Sequence, residues 1–162
     1  MKAKLKLDNP LWKTPERRKI LDKAVQESAA ELEAEIKQKI LTGTKTGKLY
    51  RKGSIKRRGR IVGSKIHRAS APGEAPANDT GGLANSIRAK KVEQMHSKVA
   101  TSKNYAEPLD KGATINGRNK RTKIVGPMRN RSLKPRPFFS STADEFKPKF
   151  LNNLQEAIKE NS

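Results

Sequence analysis

Two 26-residue stretches of this chain contain no acidic residue, and they limit what it can fold into more than any other feature. The first, Gly43 to Arg68, holds ten cations: Lys45, Lys48, Arg51, Lys52, Lys56, Arg57, Arg58, Arg60, Lys65 and Arg68. The second, Lys111 to Arg136, holds nine: Lys111, Arg118, Lys120, Arg121, Lys123, Arg129, Arg131, Lys134 and Arg136. Packed like charges repel, and both stretches are rich in Gly, Ser, Thr and Asn but poor in large apolar residues. They read as long basic loops or hairpins, and such like-charge tracts often mark interaction surfaces. Together they carry nineteen of the net charge of +21, which leaves the other 110 residues nearly neutral, with 18 basic and 16 acidic side chains. The expected organisation is a basic N-terminal arm over 1–13 and a single domain over 14–160, with basic insertions at 43–68 and 111–136.

The body has little with which to build a core. Leu, Ile, Val and Phe make up 31 of the 162 residues, or 19%, just under the rough 20% line below which highly charged chains tend to be disordered. Either part of the chain is unstructured alone, or a small core forms and burial is completed against partners. The chain has no cysteine, which excludes a disulfide scaffold, thiolate zinc sites and cysteine nucleophiles. No apolar run approaches the roughly 20 residues of a membrane span, and the first ten residues lack the apolar segment of a secretory signal. The expectation is a soluble protein of intracellular type that makes no membrane contact.

Thr14-Pro15-Glu16 has the signature of a helix start, with an N-cap, a first-position proline and an acid in the positive first turn. Leu21, Val25, Ala29, Leu32, Ile36 and Ile40 then form one helical stripe, which Thr42-Gly43 should stop. Glu27, Glu31, Glu33 and Glu35 crowd the rest of that helix as a possible docking face for a basic neighbour. Trp12, the only tryptophan, is expected to dock with Leu11 on the body or on another subunit. Two prolines and two glycines between Ala69 and Gly81 predict an extended loop, with Asp79 or Thr80 capping a short turn through Leu83 and Ile87. Residues 86–93 and 97–102 read as strands with a bend at Gln94-Met95-His96. A single helical turn over 104–109 should bury Tyr105 and Leu109 and end at Gly112. Arg136-Pro137-Phe138-Phe139 forms an aromatic anchor before a last helix on Phe146, Phe150, Leu154 and Ile158, which Pro148 should kink or delay. A long N-terminal helix and a C-terminal helix on a small antiparallel sheet give an α+β class.

Catalytic signatures fail on inspection. Gly43-Thr44-Lys45-Thr46-Gly47-Lys48-Leu49 looks like a phosphate loop, but it has three residues between the glycines instead of four. Leu49 also stands where a hydroxyl should reach magnesium. His67 and His96 have no partner at metal-ligand spacing. Glu107 and Asp110 could share a helical face, but pairing with a basic neighbour suits them better than holding a metal. No Gly-x-Ser-x-Gly element occurs. The sequence makes no case for an enzyme, and no catalytic residue, metal ligand or cofactor is assigned. Tyr50 is the only aromatic within the two basic stretches, so their chemistry favours phosphate contact over base stacking.

The order of residues carries more than their composition. The succession Thr46-Gly47-Lys48-Leu49-Tyr50-Arg51, then His67-Arg68-Ala69-Ser70-Ala71-Pro72-Gly73-Glu74-Ala75-Pro76-Ala77-Asn78-Asp79-Thr80-Gly81-Gly82-Leu83, then Ser86-Ile87, resembles the tail-completion (tail-component) proteins. These are encoded in the head–tail joining block of long-tailed bacteriophages. Tyr105-Ala106, Leu109, Asp110 and Gly112 stand where that family has Tyr-Ala…Leu-Glu-x-Gly-Thr, and Arg136-Pro137-Phe138-Phe139 where it has Arg-Pro-Phe-Leu. The resemblance covers roughly residues 15–160. It departs at Asp110, at Ala113 in place of threonine, at Pro108, and in longer, more basic segments at 51–66 and 113–135.

The resemblance implies a non-enzymatic virion component of the neck or tail, assembled in the host cytoplasm. It would form a homo-oligomeric ring, a hexamer, between the head-closure proteins and the tail terminator and tail tube, with double-stranded DNA as a further partner in the lumen. Candidate contacts to DNA or to acidic neighbours are Lys45, Lys48, Arg51, Lys52, Lys56, Arg57, Arg58 and Arg60, with Arg118, Lys120, Arg121, Lys123, Arg129 and Arg131. Candidate subunit-interface residues are Trp12, Glu27, Glu31, Glu33, Glu35, Phe138 and Phe139. Charge and size suit a second class, a non-sequence-specific nucleic-acid-binding protein of ribosomal or nucleoid type. A metal-dependent nuclease stands third.

Overall fold

In the computed structural model the chain runs β1 (Lys2–Lys6), α1 (Pro15–Thr42), β2 (Leu49–Arg57), β3 (Arg60–Arg68), a 3₁₀ turn (Ala84–Ser86), β4 (Ile87–Glu93), β5 (His96–Thr101), α2 (Ala106–Lys111), β6 (Ala113–Ile115), β7 (Arg131–Leu133) and α3 (Ser140–Lys159). The structure describes residues 1–6, 14–57, 60–115 and 131–159. Helices with small antiparallel sheets make this an α+β fold.

The stripe on α1 is the spine of the core. Leu21, Val25, Ala29, Leu32, Ile36 and Ile40 are all buried, with Ala24 and Ser28 beside them. They pack on one side against α3, through Phe146, Phe150 and Leu154, and on the other against a three-stranded sheet of order β1-β5-β4. Alternation along those strands turns Ile87, Ser97 and Val99 fully inward, with Ala3, Leu5 and Ala89 partly buried against the core. Residues of the other parity face away from the helices.

Four local expectations change. Within the arm expected over 1–13, Lys2–Lys6 is a strand, paired with β5 from Lys2↔Ala100 to Lys6↔His96. Its alternating Lys-Ala-Lys-Leu-Lys offers two small apolar contacts to the core, too few to announce a strand without its partner in view. Pro148 lies inside α3 and does not delay it; it sits on the exposed side, between the buried Phe146 and Phe150 that hold the helix down. In α2 the buried residues are Ala106 and Asp110, whereas Tyr105 is exposed and Leu109 only half-buried. The turn is rotated because Asp110 serves α3, as described below. Leu83, in place of Asp79 or Thr80, stands at the N-cap of the 3₁₀ turn and makes no side-chain cap hydrogen bond; in the turn before it Asn78 Oδ1 accepts the Gly81 N–H at 2.9 Å.

The first basic stretch is a hairpin. Among the described residues β2 and β3 pair only with each other, with register shifts between Lys52 and Ser54 and between Ile55 and Lys56. In the second stretch β6 and β7 pair from Ala113↔Leu133 to Ile115↔Arg131, and residues 116–130 lie outside the described part.

Candidate functional site

The segments that carry the resemblance are far apart in sequence but meet in one junction at the base of the β2–β3 hairpin. Glu74 is its hub. Its carboxylate accepts the Thr46 hydroxyl, the Thr46 N–H at 3.0 Å and the Ala71 N–H at 2.7 Å. These bonds, the hydroxyl foremost, hold its pKa down to about 2. Lys45 donates to the Ala75 carbonyl at 2.8 Å, and partial burial lowers its pKa although Glu74 acts in the opposite sense. Gly47 lies so close to the 69–70 backbone that a Cβ would stand 2.6 Å from the Ala69 oxygen. No side chain fits there.

The junction continues into α3. The Gly73 N–H reaches the Pro135 carbonyl at 3.0 Å, and the Arg136 N–H reaches Leu109 at 2.9 Å. The Arg136 guanidinium spans back to the Ser70 carbonyl at 3.3 Å. Asp110, buried, accepts the N–H groups of Phe138 and Phe139, each at 2.8 Å, and the Ser140 hydroxyl at 2.6 Å. A carboxylate at a helix N-terminus satisfies donors that have no partner within the helix and suits the positive end of its dipole. Gly112 then turns the chain at φ +81, with the Leu133 oxygen 2.9 Å from where a Cβ would be.

The chemistry of this junction is positional. Glu107, weighed above as a partner of Asp110 for a metal, instead pairs with Lys111 at 2.8 Å. Lys45, a candidate contact for outside partners, is engaged within the junction. Phe138 and Phe139, candidates for a subunit interface, are fully buried and meet edge to face at 6.3 Å. They belong to the chain's own core because Asp110 draws their backbone inward.

The acidic face of α1 is also occupied from within. Lys149 of α3 pairs with Glu35 at 2.7 Å and Glu31 at 3.5 Å, and Asn153 donates to Glu31 at 3.0 Å. Glu33 takes Lys37 and the N–H of Ala89 on the edge strand β4, with Arg88 at 3.6 Å. Burial would raise the Glu33 carboxyl, but Lys37 and the Ala89 N–H outweigh it and leave its pKa lowered. Asp22 is held the same way by Lys91 and the Met95 N–H. Glu27 pairs with the exposed Lys23 at 3.6 Å. Glu31, Glu33 and Glu35, candidates for a subunit interface, thus already have partners within the chain.

Most of the remaining candidate contacts lie on the hairpin. Its register sets Lys52 opposite Lys65 and Arg57 opposite Arg60, and like charges directly opposite each other destabilise a strand pair. Arg51 and Lys56 share β2 with Lys52 and Arg57. At the base, Lys48 is exposed, its ammonium 6.0 Å from the Tyr50 ring. Leu49, Tyr50 and Ile66 are 52%, 51% and 65% exposed. Leu49 and Ile66 share one face of the ribbon, with Tyr50 on the other. Trp12, Arg58, Arg118, Lys120, Arg121, Lys123 and Arg129 lie outside the described residues, and Arg131 is placed by its pairing with Ile115. Comparison of the chain with family models, curated proteins and solved structures finds no match.

Proposed function

We propose that this chain is a structural, non-enzymatic subunit of a phage neck, a tail-completion protein whose ring joins the head-closure components to the tail. Its basic hairpin meets DNA in the lumen or the acidic surfaces of neighbouring rings. The observation that carries this reading is the hairpin itself: two strands that, among the described residues, pair only with each other, like charges opposed, and three large apolar residues exposed at the base. An isolated two-stranded hairpin is marginal in water. A ring supplies what it lacks, because the next subunit covers the apolar base while a polyanion or acidic ring neutralises the rest. The resemblance in residue order supports the neck as the setting, with assembly in the host cytoplasm and a place in the virion.

Native mass spectrometry and electron microscopy of the full chain test this reading. The expected result is a closed homo-oligomer, a hexamer, that falls to monomer when Leu49, Tyr50 and Ile66 are changed together to Ser while the helical spectrum is kept. A chain that stays monomeric at high concentration and in the presence of head-closure and tail-tube proteins would overturn it. The acid-free hairpin also fits a nucleic-acid-binding protein of ribosomal or nucleoid type. Tight duplex binding by a monomer would select that reading.

A further inference from the structure

The outer face of the β1-β5-β4 sheet carries a lysine row that neither the core nor the hairpin accounts for. Lys4 pairs with Lys98 across β1 and β5, and Lys90 pairs with the same Lys98 across β4 and β5. Three ammonium-bearing side chains thus stand abreast on strands about 4.8 Å apart. Two residues along, Lys2 and Arg88 flank Ala100 on the same face. Lys2, Lys4 and Lys90 are exposed and Lys98 is half-buried. Their mutual repulsion registers at Lys98, whose pKa is lowered by Lys2 first, then by partial burial, and then by Lys4 and Lys90.

Cations that reach the helix side of this sheet are neutralised: Lys91 pairs with Asp22, and Arg88 bends toward Glu33. Among the described residues, Lys2, Lys4, Lys90 and Lys98 of the outer face have no acid paired with them. The single acid of the three strands, Glu93, stands in the end row and engages His96 at 3.3 Å. Twelve of the sixteen carboxylates already have partners within the chain, which leaves little with which a second copy could answer this face. A protein partner is also disfavoured, because interface centres are rich in aromatic residues and depleted of lysine. The three strands contain no Phe, Tyr or Trp, so unpaired bases have nothing to stack on. Lysines used as point charges suit phosphates in a duplex backbone.

We infer that the outer face of the β1-β5-β4 sheet binds the phosphate backbone of double-stranded nucleic acid through Lys2, Lys4, Lys90 and Lys98, without reading sequence. These residues are separate from the hairpin, and the inference stands whether or not the chain forms a neck ring.

The test is fluorescence anisotropy of a labelled duplex of mixed sequence with the full chain, between roughly 50 and 200 mM salt. A variant with Lys2→Gln, Lys4→Gln and Lys90→Gln leaves the half-buried Lys98 in place and should keep the wild-type circular dichroism. Its affinity is expected to fall about tenfold or more, with the slope of log K against log salt shallower by about 2.7, the value for three lost phosphate contacts. A variant of equal charge, with Lys19→Gln, Lys103→Gln and Lys159→Gln at exposed positions off this face, should stay within about threefold of wild type. Equal losses in both variants would reduce the effect to net charge and overturn the site, as would no loss in the first. Binding of the wild type to phosphatidylserine vesicles or to polyglutamate, but not to the duplex, would also overturn it. Native mass spectrometry of the same samples reads ring formation separately, so failure of the neck reading is distinguishable from failure of this face.

Discussion

The α1–α3 seam and the β2–β3 hairpin are both crowded with charged side chains, but they handle charge in opposite ways. In the seam, Lys149 lies between Glu31 and Glu35, Lys39 meets Glu145 at 3.0 Å, and Glu33 is shared between Lys37 and β4. In the hairpin, cation stands opposite cation, and no acid occurs from Gly43 to Arg68. Pairing closes the seam on itself, while the register of the hairpin sets like charges opposite one another. Burial differs in the same sense: the seam rests on Phe146, Phe150 and Leu154, whereas the hairpin exposes Leu49, Tyr50 and Ile66.

Four changes probe this contrast, from the largest expected effect to the smallest. Asp110→Ala leaves three donors at the start of α3 without an acceptor in a buried place and should cost about 3 kcal/mol. Urea denaturation should show the loss as a lower midpoint with the slope unchanged, and an unchanged midpoint would mean that α3 is anchored by its phenylalanines alone. Glu74→Gln weakens the junction that holds the hairpin base. Because the Glu74 pKa is depressed, its contribution is present above the ordinary value of 4.5 and is lost as pH falls through about 2. Wild type should therefore be the more stable at neutral pH and converge with Glu74→Gln over that acid range, as read by thermal midpoints across pH.

Lys149→Glu places a third carboxylate beside Glu31 and Glu35 and should lower Tm modestly, since the pair is half exposed and screened by salt. A midpoint that recovers as salt is raised would identify repulsion as the cause. Lys65→Glu works in the opposite direction. It sets an acid opposite Lys52 and should stabilise the hairpin by about 0.5 kcal/mol, seen as slower hydrogen exchange of the β2 and β3 amides, while weakening duplex binding. Faster exchange there would mean that the register does not govern the hairpin's stability.

The parts of this fold that were legible in the sequence are those whose cause is local. The period of Leu21 to Ile40 is a property of one helix, so all six positions could be assigned inward, and all six are buried. The two strands after Ser86 were legible for the same reason, since they adjoin across a short bend. β1 was not, because Lys2–Lys6 acquires its meaning only from β5. The fate of the acids was equally hidden. A cluster of glutamates on one helix looks the same whether it faces another subunit or Lys149 and Arg88 of its own chain. Asp110 could be singled out but not interpreted, since its partners are the backbone amides of residues 138–139.

By itself the sequence determined the helix spine, the α+β class and the concentration of positive charge in two acid-free tracts, because periodicity and composition act along the chain. Only the tertiary structure decided which charges are neutralised. It brought Lys149 to Glu35, Asp110 to α3 and Glu74 to Thr46, and it gathered lysines from β1, β4 and β5 onto one face, although none of those strands carries an unusual run. Electrostatic energy depends on distance in space, and separation along the chain does not predict it.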